Sequence, residues 1–386
     1  MHAQDVTARP AAPARNLWLH GPLQDTLLGW CFVPVALMVH FAEPHLTLVQ
    51  PMVGVIFLVS FAHQPLTLGL VYGDPVQRSA HRRLYTWAPL IAAALIVIGL
   101  FVSLTLVGLI AGLWNAEHTL MQRYGVLRIY GRKAGDDHGS LEKPMLIVWL
   151  VTGLAFIGAY VDLQQLVLKL GLDETNARGV ELLDPLRRSA TVLFWVGLVA
   201  SATLAVRWWR AERSLGAKAS PAKHLYALGT LGLVVVVMID PIAGVAGYVA
   251  AHAIEYFAVV HRSLRTRRDD APVAVATSTP WRRGGVYALY FGLIAAIVIG
   301  TTLPFDGRVY AFAILFFGAL HILYDGFVWK LRRPNVAASL GITPVASQPP
   351  VLCHNTERGS VVRAVTQSLA RPGLLRASTS VPRAPE

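Results

Sequence analysis

Residues Gly318–Arg333 read GALHILYDGFVWKLRR. The segment begins apolar and ends in a cationic cluster, the profile of a helix leaving a bilayer at its basic end. The apolar run that contains it starts at Val309, so the run to Val328 has the roughly 20 residues that cross a ~30 Å hydrocarbon core. Inside this run His321 and Asp325 stand four residues apart, on one face of a helix. Ionisable side chains at membrane depth are rare and face the interior of the bundle. The pair therefore marks a fold and a site together.

The rest of the chain repeats the pattern. Further apolar runs of spanning or near-spanning length cover residues 26–41, 48–71, 87–102, 104–124, 145–163, 190–206, 225–239, 242–260 and 286–299. Their composition agrees with their length: 54% of the 386 residues are apolar and 15% charged, too apolar for a soluble protein of this size. Runs three and four are separated only by LFVSLTLVGL. Read as one helix, Trp87 to Tyr130 would be about 66 Å long at 1.5 Å per residue, more than one bilayer accommodates, so two helices are expected.

Charge supports this count. The net charge of +12 does not point to nucleic acid, because the cations sit in short clusters beside apolar runs. RSAHRR, RIYGRK, RWWRAER, HRSLRTRR and KLRR follow runs two, four, six, eight and ten, whereas the odd-numbered exits carry no such clusters. The expected fold is an all-α polytopic bundle of about ten transmembrane helices with both termini in the cytoplasm, in a bacterial inner membrane. It divides into a flexible segment 1–24, a helical domain 25–333 and a basic, disordered tail 334–386. The two cysteines, Cys31 and Cys353, provide no disulfide framework, and the first 25 residues have no cleaved-leader pattern.

Four of the 13 histidines lie well inside apolar runs: His63, His118, His252 and His321. All four belong to even-numbered runs. Counting forward, 11 residues separate His63 from Asp74, 10 separate His118 from Arg128, 10 separate His252 from Arg262, and 9 separate His321 from Lys330. At 1.5 Å per residue every ring lies about 13–17 Å from the basic boundary. They share a depth.

Neutral imidazoles delivered to one layer are what an intramembrane metal site requires. His252 and Glu255 are spaced i, i+3 in AHAIEYF, as in the carboxylate–histidine pairs of di-iron bundles but in reverse order. The expected primary ligands are His118, His252 and His321, with His63 as a fourth nitrogen donor, Glu255 as a carboxylate ligand and Asp325 as a ligand or as the acceptor that orients a ring. Glu255 and Asp325 are also the candidate catalytic carboxylates. Pro65 is expected to kink the helix bearing His63. A nitrogen and oxygen donor set without thiolate suits non-haem iron, mononuclear or di-iron, with zinc second.

The expected function is a metal-dependent oxidoreductase of oxygenase, desaturase or hydroxylase type, acting on a lipid or isoprenoid, with an electron-transfer partner on the cytoplasmic side. The alternatives are a proton-coupled transporter, a haem b protein and a zinc hydrolase. The HxxxH and HxxHH boxes of membrane desaturases and the HExxH motif of proteases do not occur.

Overall fold

LFVSLTLVGL breaks at Ser103, whose extended backbone (φ −166°, ψ 113°) ends one helix while its Oγ accepts the Leu106 N–H at 3.2 Å and caps the next. Capping of this kind satisfies an otherwise orphaned donor. Gly99 completes the hairpin, since any Cβ there would collide with Val107. The expected division of runs three and four is observed.

The computed structural model describes residues 17–136, 139–170, 178–266, 272–302 and 307–342, and every element among them is helical. Ten long helices follow one another: α1 (Pro22–Ala42, two segments meeting at Cys31), α2 (Leu46–Tyr72), α3 (Arg82–Val102), α4 (Leu104–Ala134) and α5 (Glu142–Tyr160). After them come α6 (Arg187–Ser214), α7 (Pro221–Ile239), α8 (Pro241–Thr266), α9 (Pro280–Thr302) and α10 (Gly307–Val328). Nine candidate spans, long and apolar enough to cross a membrane, occur among the described residues. They do not include α4, which carries Asn115, Glu117, His118, Gln122 and Arg123 near its middle.

Turn chemistry places the helix starts. Asp74 and Asp240 each precede a proline; Asp74 Oδ1 accepts the Val76 and Gln77 N–H groups, and Asp240 Oδ1 accepts that of Ala243. Both are caps, as their sequence context implies. Gly229 of α7 crosses Gly29 of α1 so closely that a Cβ at 229 would lie 2.5 Å from the Gly29 carbonyl oxygen. Only glycine permits that approach.

The centre of the bundle is α8. Of its most apolar stretch 72% is buried, against 6% for α9 and 17% for α3, so α8 is an interior helix and α9 a peripheral one. Both α2 and α4 pack against α8 and against α10. The four histidine-bearing helices form one group, α2 and α4 each flanked by α8 and α10.

Two expected boundaries move. Past Arg333 the chain forms a short helix, Pro334–Ser339, and buries Ala337, Leu340 and Ile342 in the same apolar cluster as Leu127 and Tyr130. Arg132 holds the Leu331 carbonyl, Lys133 the Gly341 carbonyl, and Thr266 the Ser339 carbonyl. Residues 334–342 therefore belong to the folded unit, because three apolar side chains in a polar-looking stretch suffice to dock it. At the other end Leu19 is 1% exposed, and Asp25 accepts the Leu19 and His20 N–H groups at 2.5 and 2.9 Å. Folding thus begins before residue 25. Residues 1–16 and 343–386, which include most of the expected tail, lie outside the described residues.

Candidate metal centre

His63, His118, His252 and His321 converge from α2, α4, α8 and α10. Ring centroids are 4.5 Å apart for His63 and His252, 4.7 Å for His63 and His321, 4.8 Å for His118 and His321, 5.1 Å for His118 and His252, and 5.8 Å for His252 and His321. His321 Nε2 lies 3.2 Å from His63 Nε2 and 3.1 Å from His118 Nε2. One ligand atom from each of His63, His252 and His321 falls within a 4.8 Å group, as does one from each of His118, His321 and Asp325. The layer deduced from residue counting is a cluster in space.

The spacing is chemically specific. Two ligands held about 2.0–2.1 Å from one ion, at 90–110° to each other, are roughly 2.8–3.4 Å apart. Hydrogen bonding between neutral rings accounts for less, since one nitrogen with a single lone pair or a single proton satisfies one of its two neighbours. It also leaves His252 with both ring nitrogens buried and without a hydrogen-bond partner, a state native interiors avoid.

The next shell fixes one tautomer. Thr67, one turn beyond His63 on α2, places Oγ1 2.7 Å from His321 Nδ1 and donates to Asp325 Oδ1 at 3.0 Å. Tyr256 OH donates to the same Asp325 oxygen at 3.0 Å and lies 2.5 Å from Thr67 Oγ1. With the Thr67 proton directed at Asp325, Thr67 Oγ1 is left as an acceptor, and His321 Nδ1–H is its donor. The Nε2 lone pair of His321 then faces His63 and His118, the orientation a ligand needs. This assignment follows from the hydrogen-bond network. Asp325 Oδ2 points back to the layer, 3.7 Å from His118 Nε2 and 3.8 Å from His321 Nδ1.

Glu255, expected as a ligand and as a catalytic carboxylate, stands outside these groups and turns to other partners. Its Oε1 takes a hydrogen bond from Arg123 Nη2 at 2.5 Å and its Oε2 one from Tyr226 OH at 2.7 Å. Arg123 also donates to Thr230 Oγ1 at 3.0 Å and lies over the Tyr226 ring. An i, i+3 step rotates about 60° away around a helix with 3.6 residues per turn, enough to turn Glu255 toward α7 when His252 faces the layer. A fully buried guanidinium needs a counter-charge, and Glu255 supplies it.

Sequence reading did not identify Thr67, Tyr256 or Arg123. Thr67 stands at i+4 from His63, and Tyr256 directly follows Glu255; both signals are short-range and fit packing as well. Gln122, at i+4 from His118, donates to the His252 carbonyl at 3.0 Å and ties α4 to α8. Pro65 lies inside α2 as expected, and Tyr290 of α9 donates to the Ala62 carbonyl beside it.

A second acidic group lies at the basic end of the bundle. Lys223 is bonded to Asp136 at 2.9 Å and also to Glu142 and Glu212, while Arg128 bridges Asp136 and Glu142. The lysine already occupies the middle of the carboxylates, so this group locks α4, α5, α6 and α7 together rather than inviting an ion. Compared with protein-family models, with curated proteins and with solved structures, the chain matches none.

Proposed function

We propose that this protein is a membrane-embedded metal-dependent oxidoreductase. In this reading His63, His118, His252 and His321, with Asp325 beside them, hold non-haem iron, and the substrate is a lipid or isoprenoid drawn from the bilayer. One observation carries the reading: two Nε2–Nε2 separations of 3.1 and 3.2 Å that share His321, beside a His252 ring with no hydrogen-bond partner. Nitrogen and oxygen donors without thiolate favour iron or zinc over soft-ligand metals. Burial of the layer would protect a reactive centre from water.

The same geometry weighs against haem, because ring centroids 4.5–5.8 Å apart leave no slot for a macrocycle among the imidazoles. Zinc hydrolysis is the second reading, favoured by Asp325 Oδ2 lying close to the layer, where a carboxylate would activate a bound water. Topologically, we count α4 as a tenth span, since its polar middle is what it contributes to the centre. The basic ends of the even-numbered helices then face the cytoplasm, where an electron donor would approach.

Metal analysis and an absorption spectrum of the purified full-length protein test the proposal. About one iron per chain without a Soret band is expected, and zinc in its place moves the assignment to hydrolysis. Metal content that is nil in the wild type, or unchanged in both His252→Ala and His321→Ala, removes the proposal.

A further inference from the structure

The geometry points to a lateral slit between α4 and α10 through which an elongated apolar chain, of acyl or isoprenoid type, reaches the histidine layer from the bilayer. This rests on the metal-centre reading above and names its substrate class and route. His118 and Asp325 are 8% and 9% exposed, whereas His63, His252 and His321 are 0–1% exposed. Molecular surface therefore reaches the layer at one edge, the one formed by α4 and α10.

Two glycines stand at that edge. Gly125 lies seven residues, two turns, beyond His118 on the same face of α4. Gly326 follows Asp325 on α10. A Cβ built at either position meets no atom within 4 Å, and neither residue has a positive φ. Neither backbone conformation nor close helix packing calls for glycine there, and glycine weakens a helix interior. What the missing side chains do is leave the helix surface open next to Asp325 and, two turns along the same face, below His118. One turn to the other side of His118, Trp114 is 42% exposed and Leu113 48% exposed, which gives the slit an apolar, aromatic lip. At about 13–17 Å from the basic boundary the medium outside that lip is hydrocarbon. A chain already dissolved in the bilayer arrives there without crossing an interface.

The test uses full-length protein in bilayer nanodiscs loaded with Co2+, whose visible bands report ligand exchange, titrated with imidazole and with 1-dodecylimidazole. Membrane partitioning of its methylenes concentrates the long-chain probe at the lip, so it is expected to shift the bands at a concentration about tenfold or more below imidazole. Gly326→Phe, or Gly125→Leu should the first variant not fold, fills open space. Either is expected to abolish that advantage with Co2+ stoichiometry unchanged. Equal response to the two probes, or a long-chain response untouched by both variants, overturns the slit and leaves the metal centre standing. Absence of bound Co2+ in the wild type overturns the metal centre itself, and the slit with it.

Discussion

His118 and His321 approach within 3.1 Å through their Nε2 atoms although 203 residues separate them in the chain. Two imidazoles from α4 and α10 at ligand spacing make the metal content of the protein the first quantity to measure. His252→Ala and His321→Ala are each expected to lose bound metal by elemental analysis while the protein still inserts and purifies, because each removes a nitrogen donor from the group. His118→Ala is expected to retain a weakened fraction, since the His63, His252 and His321 group survives.

Thr67 is expected to control the centre without touching an ion. Thr67→Val removes the acceptor for His321 Nδ1–H and one donor to Asp325, and outer-shell changes of this kind weaken metal binding by about 10–100-fold. Thr67→Ser keeps the hydroxyl and is expected to restore affinity. Competition with a chelator, measured on both variants, reads this directly; equal affinities in Val and Ser would show that the hydroxyl is idle.

Glu255→Ala separates stability from metal binding. Arg123 and Glu255 are both 0% exposed, and removing one partner of a buried ion pair destabilises by roughly 3–5 kcal/mol. A large fall in thermal unfolding temperature is therefore expected, with metal stoichiometry preserved in protein that remains folded. Joint replacement, Arg123→Met with Glu255→Leu, is expected to recover most of the loss because no uncompensated charge remains. Loss of metal in the double variant would return Glu255 to the ligand set.

Lys223→Met is expected to be among the most destabilising single changes at the basic end of the bundle. It leaves Asp136, Glu142 and Glu212 crowded together with Arg128 alone to offset Asp136 and Glu142. Lowering pH is expected to rescue this variant in part, since protonated carboxylates no longer repel. A thermal-unfolding series across pH reads the effect, and a rescue on raising pH would contradict the account.

Chain length offers a further check. A chain ended after Arg333 loses the buried Ala337, Leu340 and Ile342, together with the carbonyls that Lys133 and Thr266 hold. It is expected to unfold at a lower temperature than a chain ended after Ile342.

The sequence by itself determined the helices and the common level of four histidines along them. Spanning runs are read from local hydropathy, the break at Ser103 from helix length, and the common level of His63, His118, His252 and His321 from a rise of 1.5 Å per residue; these are properties of position along a chain. Which helices are neighbours, and which way each face turns, was settled by tertiary packing. His63 meets His321 across 258 residues, a contact that no local pattern encodes. Glu255 and Asp325 look alike in sequence, each a carboxylate one turn from a buried histidine. Packing separated them: α8 is rotated so that Glu255 meets the guanidinium of Arg123, and α10 so that Asp325 meets Thr67 and Tyr256. In a low-dielectric interior a buried charge goes to the partner that satisfies it, and that partner is known only once the helices are assembled.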